Sequence, residues 1–306
     1  MKKICFLLAA IMLVMFSSCA VKNTDGGDFP SDSEPSQSAT ATDDSKPTGP
    51  VTEPTVTEPV IEPATEPSVP ATDPVTPAAG AADISPVYSD TGYTPKPMMY
   101  HLIMEEPYNA LTALFVRPSD FDAQVAAMVD AGCVFMFAND YRKTTKPGVM
   151  LTFDDGYEDN YTDMFPILKK YGARATVFLI SNMLGTPGYL TEAQVKEMAE
   201  SGLVYFGCHT ANHCDLAQQS EERVRAEFSE SVAKIESLTG VKCTALAYPS
   251  GSYNETVIKV ASEFFDYAYL ARQQIPDGGV TNYKIPRIYV ARGLSAAQLM
   301  TRLGLG

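Results

Sequence analysis

Histidine is scarce in this chain: three among 306 residues, at positions 101, 209 and 213, with none after 213. Any chemistry that needs an imidazole falls to those three. Gly-x-Ser-x-Gly occurs nowhere, which disfavours a serine hydrolase built on a nucleophile elbow. No Gly-x-Gly-x-x-Gly follows the first apolar run of the domain, so the dinucleotide-binding fingerprint is missing as well. Basic residues are outnumbered, 23 Lys and Arg against 37 Asp and Glu, and the net charge of −14 argues against nucleic acid or an anionic lipid surface as partner. The six cysteines include no close Cys-x₂-Cys pair. Cys208 and Cys214 bracket the histidine pair, yet together with Cys133 and Cys243 they read better as small buried residues than as ligands of a structural zinc.

The charge is unevenly spread, and this divides the chain. Residues 1–19 have the form of an export signal: Lys2 and Lys3, an apolar core from Phe6 to Phe16, then Ser17-Ser18-Cys19. Small residues directly before a cysteine resemble a bacterial lipobox, with Phe16 where leucine is usual. That predicts lipidation of Cys19, a membrane-anchored protein and a cell-surface location, the alternative being an ordinary signal peptide cleaved nearby with Cys19 incidental. Residues 20–95 hold more than half of the 22 prolines, carry a net −11, and lack any aromatic residue from Ser31 to Val87. Thr-Glu-Pro recurs at 52–54, 57–59 and 65–67. Such a segment cannot bury a core and is expected to be an extended, self-repelling tether, reaching on the order of 200 Å at about 3.1 Å per residue.

Residues 96–306, net −5, suit a single α/β domain. Apolar runs at 97–103, 133–137, 148–153, 175–180, 203–207, 244–248, 267–270 and 287–290 predict strands. Helical patterns fall between them, at 118–131, 160–171, 191–201, 220–238, 254–265 and 295–303. Pro118 opens the first helix, and Thr191 with Gln194 makes a capping box closed by Gly202. Alternation implies parallel strands and favours a (β/α) barrel over a dinucleotide-binding sheet, with its chemistry at the C-terminal strand ends.

Asp154-Asp155-Gly156 ends the run Val149–Phe153, His209-x-x-x-His213 follows Leu203–Gly207, and His101 lies within the apolar run Pro97–Ile103. One carboxylate with two neutral imidazoles is a ligand set for zinc or a similar divalent ion, with cobalt, nickel or manganese as alternatives, and it leaves positions open for water and substrate. The second carboxylate and the third histidine would remain as general base and general acid. Plainer alternatives exist for each: Asp-Gly as a turn, an exposed histidine pair, and His101 as a hydrogen-bonded core residue. Arg287, set between Ile285-Pro286 and Ile288-Tyr289-Val290, would need a carboxylate partner if buried.

Four motifs together carry a family resemblance: Thr152-Phe153-Asp154-Asp155-Gly156, His209-Thr210-x-x-His213, Ala247-Tyr248-Pro249-Ser250-Gly251-Ser252-Tyr253-Asn254 and Pro286-Arg287-Ile288. Over about residues 97–290 the chain resembles the NodB-homology polysaccharide deacetylases of carbohydrate esterase family 4. The resemblance implies the distorted form of the (β/α) barrel, with about seven strands, and a metal-dependent hydrolase that removes N-acetyl, sometimes O-acetyl, groups from polysaccharides. It assigns Asp154 as base, Asp155, His209 and His213 as metal ligands, Arg287 as the group orienting the base, and Tyr248, Pro249 and Ser250 to the oxyanion loop. Ser250 departs from the family's second tyrosine, and the usual C-terminal histidine is missing. The chain is similar in this to the permuted poly-N-acetylglucosamine deacetylases, in which a Tyr-His motif near the N-terminus supplies the acid; Tyr100-His101 occupies that place. An O-acetyl esterase acting on xylan or another glycan would use the same site, and a non-catalytic, tethered glycan-binding protein would require a defective one.

Overall fold

The computed structural model describes residues 86–106, 114–273, 275 and 277–306. The signal segment, Cys19 and the tether up to residue 85 lie outside the described residues. The first described strand, β1 (Tyr88–Tyr93), falls within the last stretch predicted as tether. Tyr88 and Tyr93 both bridge to Thr144, so the ordered domain begins before residue 96.

The central sheet is parallel. Its strands are β2 (Lys96–Tyr100), β5 (Val134–Phe135), β6 (Gly148–Phe153), β7 (Ala175–Leu179), β8 (Val204–Cys208), β9 (Ala245–Ala247), β10 (Tyr267–Tyr269) and β11 (Ile288–Tyr289). The path runs β10-β9-β8-β7-β6-β2-β11, with β5 as a short side branch on the first residues of β6. The segment around β11 joins the two ends of this path. Ile288 and Tyr289 pair with Met98 and Met99, while Ile285, three residues earlier, bridges to Tyr269. Leu270 N–H donates to Ile285 O at 2.8 Å, and Ile285 N–H to Ala268 O at 3.1 Å. The seven-strand path thereby closes into a barrel, as strand–helix alternation predicts, of the distorted form that the family resemblance implies. A second, two-stranded pair, β3 (Leu102–Ile103) with β4 (Phe115–Val116), lies off the barrel.

All six residues of β6 are buried, as are all five of β7 and of β8. This is the pattern of strands covered on both faces. Alternate residues fall into two cores. Met150, Phe178, Tyr205, Ala245, Ala247, Tyr269 and Ile285 form the cluster that fills the barrel. Leu151, Phe153, Val177, Phe206 and Leu246 belong to the larger cluster under the helices. Those helices are α1 (Pro118–Asp130), α2 (Phe165–Tyr171, entered through a π-turn at Asn160–Met164), α3 (Glu192–Glu200), α4 (Glu221–Thr239), α5 (Glu255–Phe264) and α6 (Ala296–Leu303). The predicted capping box at Thr191 and Gln194 is formed, and Gly202 follows α3 at φ +69°. Among the described residues no helix is long and apolar enough to cross a membrane.

Candidate metal centre and catalytic site

Period-2 alternation determines where the site residues point. Met150 and Thr152 face the barrel interior, so Asp154, two residues beyond Thr152, emerges at its C-terminal mouth. Ile285 and Arg287 obey the same rule from the closing segment. The two meet there in a fork: Arg287 Nη1 and Nη2 donate to Asp154 Oδ1 and Oδ2, each at 2.7 Å. Arg287 also donates Nη1–H to Thr152 Oγ1 and Nε–H to Leu270 O, both at 3.0 Å. The guanidinium is fully buried and Asp154 is 2% exposed. Burial alone would raise the Asp154 carboxyl; the Arg287 charge outweighs it, helped by His209 and His101, and holds the carboxyl below its ordinary range.

Asp155 breaks the alternation. Its φ of +74° is a left-handed conformation that non-glycine residues seldom adopt. Gly156 follows at φ +78°, and a Cβ there would stand 2.6 Å from Leu179 Cδ2, so the turn requires glycine. Asp155 Oδ1 is buried and has no hydrogen-bond partner among the described residues. Facing it are His209 Nε2 at 3.4 Å and His213 Nε2 at 3.6 Å. One donor atom from each of the three side chains lies within 4.8 Å of the others.

The donors fit a divalent cation. His209 Nδ1 lies 2.8 Å from Ala247 O, a contact that needs the proton on Nδ1 and leaves the Nε2 lone pair facing Asp155. An orphaned carboxylate oxygen and two imidazole nitrogens, with two of the three residues buried, form a three-ligand site that leaves room for further ligands. Without metal, burial would raise the Asp155 carboxyl, but the surrounding imidazoles drive it well below the usual range. Tyr157, stacked on Tyr189 with centroids 5.1 Å apart, is a further neighbour. Burial, reinforced by the Asp155 charge, pushes its hydroxyl far up.

His101 stands between β2 and β3 at the same mouth, its Nε2 4.0 Å from Asp154 Oδ2. The chain on either side of it is fixed. Tyr100 is stacked on Phe153 (5.1 Å, 21°) and donates its hydroxyl to Gln124, and the His101 carbonyl accepts from Asn160 Nδ2 at 3.0 Å. Asn160 also donates to Asp159, whose carboxyl burial raises to about 8. Thr152, Asn160 and the φ of Asp155 are the parts of the site that motif spacing did not reveal. Thr152 alone left a signal, as a polar residue inside an otherwise apolar run.

The predicted oxyanion loop is a tight turn, Pro249–Gly251, with Ser250 at φ +52°. Gly251 and Ser252 N–H are already spent on Tyr248 O and Pro249 O, both at 2.9 Å. The Tyr248 side chain is fully buried, stacks on Tyr253 and donates to Tyr283 O, so by its side chain it is a packing residue. Cys133, Cys208, Cys214 and Cys243 are all buried, and the one Asp, Glu, Cys and His cluster among the described residues able to hold a metal contains no cysteine.

The polysaccharide deacetylase family model matches residues 141–267, a span that runs from before Asp154 to beyond the Tyr248–Ser250 turn. A solved Streptococcus pyogenes deacetylase, PplD in complex with acetate, is 31% identical and superposes with a TM-score of 0.63 over 70% of this chain and 99% of its own. The chain belongs to the polysaccharide deacetylase family. Bacillus subtilis (strain 168) YxkH is 33% identical over 178 residues, 56% of this chain and 63% of that relative, so more than a third of YxkH lies outside the match. A poly-β-1,6-N-acetyl-D-glucosamine N-deacetylase of Staphylococcus epidermidis is 28% identical over 196 residues, 58% of this chain and 68% of its own.

Proposed function

We propose that this family member is a metal-dependent hydrolase that removes N-acetyl groups from an N-acetylglucosamine-containing polysaccharide. One observation carries the reading: adjacent carboxylates are driven into opposite tasks. Asp154 is held ionised by a two-point arginine clamp, and Asp155 is left orphaned before two imidazoles.

Asp155, His209 and His213 would hold the ion, with zinc the best match to two nitrogens and one oxygen. Bound there, a divalent cation would polarise the acetamide carbonyl and acidify water. Asp154 takes the proton of the attacking water; Arg287 keeps it ionised and fixes its plane. Ser250 N–H is the donor of the Pro249 turn toward the developing oxyanion, since Gly251 and Ser252 are engaged within the turn. His101, 4.0 Å from Asp154, then protonates the leaving amine. An amide leaves poorly without that proton, which is why the site needs an acid as well as a base.

Support for the N-acetylglucosamine class comes from the S. epidermidis relative and from Tyr100-His101 in the acid position. The test is acetate release from β-1,6- and β-1,4-linked N-acetylglucosamine oligomers, peptidoglycan and acetylated xylan. Faster release from an N-acetylated substrate supports the reading; release confined to O-acetyl groups assigns an esterase instead. For residues 1–85, ahead of the ordered domain, we propose a lipid anchor at Cys19 and a tether that together hold the domain at the cell surface. The cysteine after small residues and the Pro- and acid-rich composition motivate this. Cys19→Ala should leave the membrane fraction and take up no acyl label, and an unlipidated wild type would refute the anchor.

A further inference from the structure

Glu227 is a buried carboxylate that the chemistry above does not use. It is 1% exposed, on the apolar side of α4 beside Val224, Phe228 and Ser231. A carboxylate is tolerated in such a place only when its oxygens are satisfied. Its Oε2 accepts from Asn212 N–H at 2.9 Å, and its Oε1 accepts from Asn212 Nδ2 at 2.9 Å and from Arg223 at 2.6 Å. Two of the three bonds therefore grip one residue, and that residue immediately precedes His213.

The loop so gripped is strained. Thr210 (φ +65°) and His213 (φ +54°) are both left-handed without being glycine, a strained conformation that persists only where the surroundings enforce it. The enforcement is visible. His213 N–H donates to Thr210 Oγ1 at 2.8 Å, Asn182 N–H donates to Ala211 O at 3.1 Å, and Asn182 Nδ2 donates to Asn212 Oδ1 at 3.0 Å. Glu227 is the buried charge behind this arrangement, and the strain it opposes ends at the imidazole facing Asp155.

We propose that Glu227 is a positioning residue for the metal centre: its two-point hold on Asn212 keeps His213 in the left-handed conformation that presents Nε2 to Asp155, and thereby sets metal affinity. The proposal rests on the assignment of Asp155, His209 and His213 as the ligands. Outer partners of metal ligands are worth roughly 10–100-fold in affinity.

The experiment is a competition titration of Zn²⁺ and Co²⁺ against a chromophoric chelator on the full chain. It compares wild type, Glu227→Gln, the pair Glu227→Gln with Asn212→Asp, and Glu263→Gln as a surface control. Glu227→Gln should weaken binding about 10–100-fold and alter the visible Co²⁺ spectrum. Adding Asn212→Asp should recover most of both, because the new amide donates to the new carboxylate and still accepts from the backbone N–H. Glu263→Gln should bind as wild type. A Glu227→Gln protein with wild-type affinity and a lowered melting temperature would make Glu227 a packing residue only, as would a pair that is no better than the single change. If Glu227→Gln fails to fold, Asn212→Ala replaces it, and wild-type affinity there overturns the proposal. A His209→Ala control separates the two assignments: if it binds metal normally, the ligand set falls and this proposal with it. If it loses the metal while Glu227→Gln keeps it, only the role of Glu227 falls.

Discussion

Replacing Arg287 with methionine should destabilise the domain strongly, and by an amount that depends on pH. The change leaves a fully buried Asp154 without its 2.7 Å partners and removes donors from Leu270 O and Thr152 Oγ1. Removing one member of a buried ion pair costs about 3–5 kcal/mol. At about 2–4 °C per kcal/mol for a domain of this size, the melting temperature should fall by roughly 6–20 °C. In the wild type Asp154 has a depressed folded pKa, so its contribution is present above the unfolded value near 3.9 and is lost as pH falls through the folded value. In the variant burial acts with its main opponent removed, the carboxyl is raised, and stability declines as pH rises. The gap between the two proteins should therefore be widest at neutral pH. It should shrink as pH falls, toward about 1–2 kcal/mol, the worth of the lost neutral hydrogen bonds, once Asp154 is protonated in both proteins. Urea denaturation at a series of pH values measures this directly. Adding Asp154→Asn to the variant should restore part of the loss. A gap below about 1 kcal/mol at pH 7, on the scale of an exposed pair, or one constant from pH 3 to 7, would refute the clamp.

Two further outcomes concern catalysis. Asp154→Asn should keep its metal, measured by elemental analysis, and lose about 10²–10⁴-fold in rate; near wild-type turnover would remove it as the base. His101→Ala should lose most N-deacetylation but far less hydrolysis of an activated aryl acetate, whose phenolate leaves without a proton. Equal losses on both substrates, with a lowered melting temperature, would return His101 to a core role.

Much of the barrel was legible in the sequence because strands covered on both faces are short, apolar and separated by amphipathic helices with clear caps. Thr191 with Gln194, Pro118 and Gly202 each marked a true helix end. The early start of the domain was not legible: β1 carries Ser89, Asp90 and Gly92, is mostly exposed, and resembles the polar sequence before it. The division of strand 97–103 at His101 was hidden too, because a continuous apolar run says nothing about where one strand stops pairing and another begins. A candidate ligand set of one carboxylate with His209 and His213 could be read from spacing. The choice of Asp155 over Asp154 came from the family resemblance, and the need of a buried Arg287 for a carboxylate followed from charge. The family resemblance named Asp154 as its partner, and the closure of the barrel brings residues 154 and 287 together across 133 positions. Glu227 shows a related limit: its spacing from Val224 and Ser231 puts it on the apolar face of the helix, but its partner Asn212 comes from a loop that only the fold brings there.

The most direct test is acetate release from N-acetylglucosamine oligomers, with metal content measured on the same samples. Wild type, wild type stripped by chelator, stripped protein restored with Zn²⁺ or Co²⁺, and His209→Ala would be compared. One divalent ion per chain, activity lost on stripping and regained on restoration, and neither metal nor activity in His209→Ala are the expected results. Acetate release that persists without metal, or a His209→Ala protein that keeps its ion, would contradict the assignment of Asp155, His209 and His213 as the catalytic metal centre.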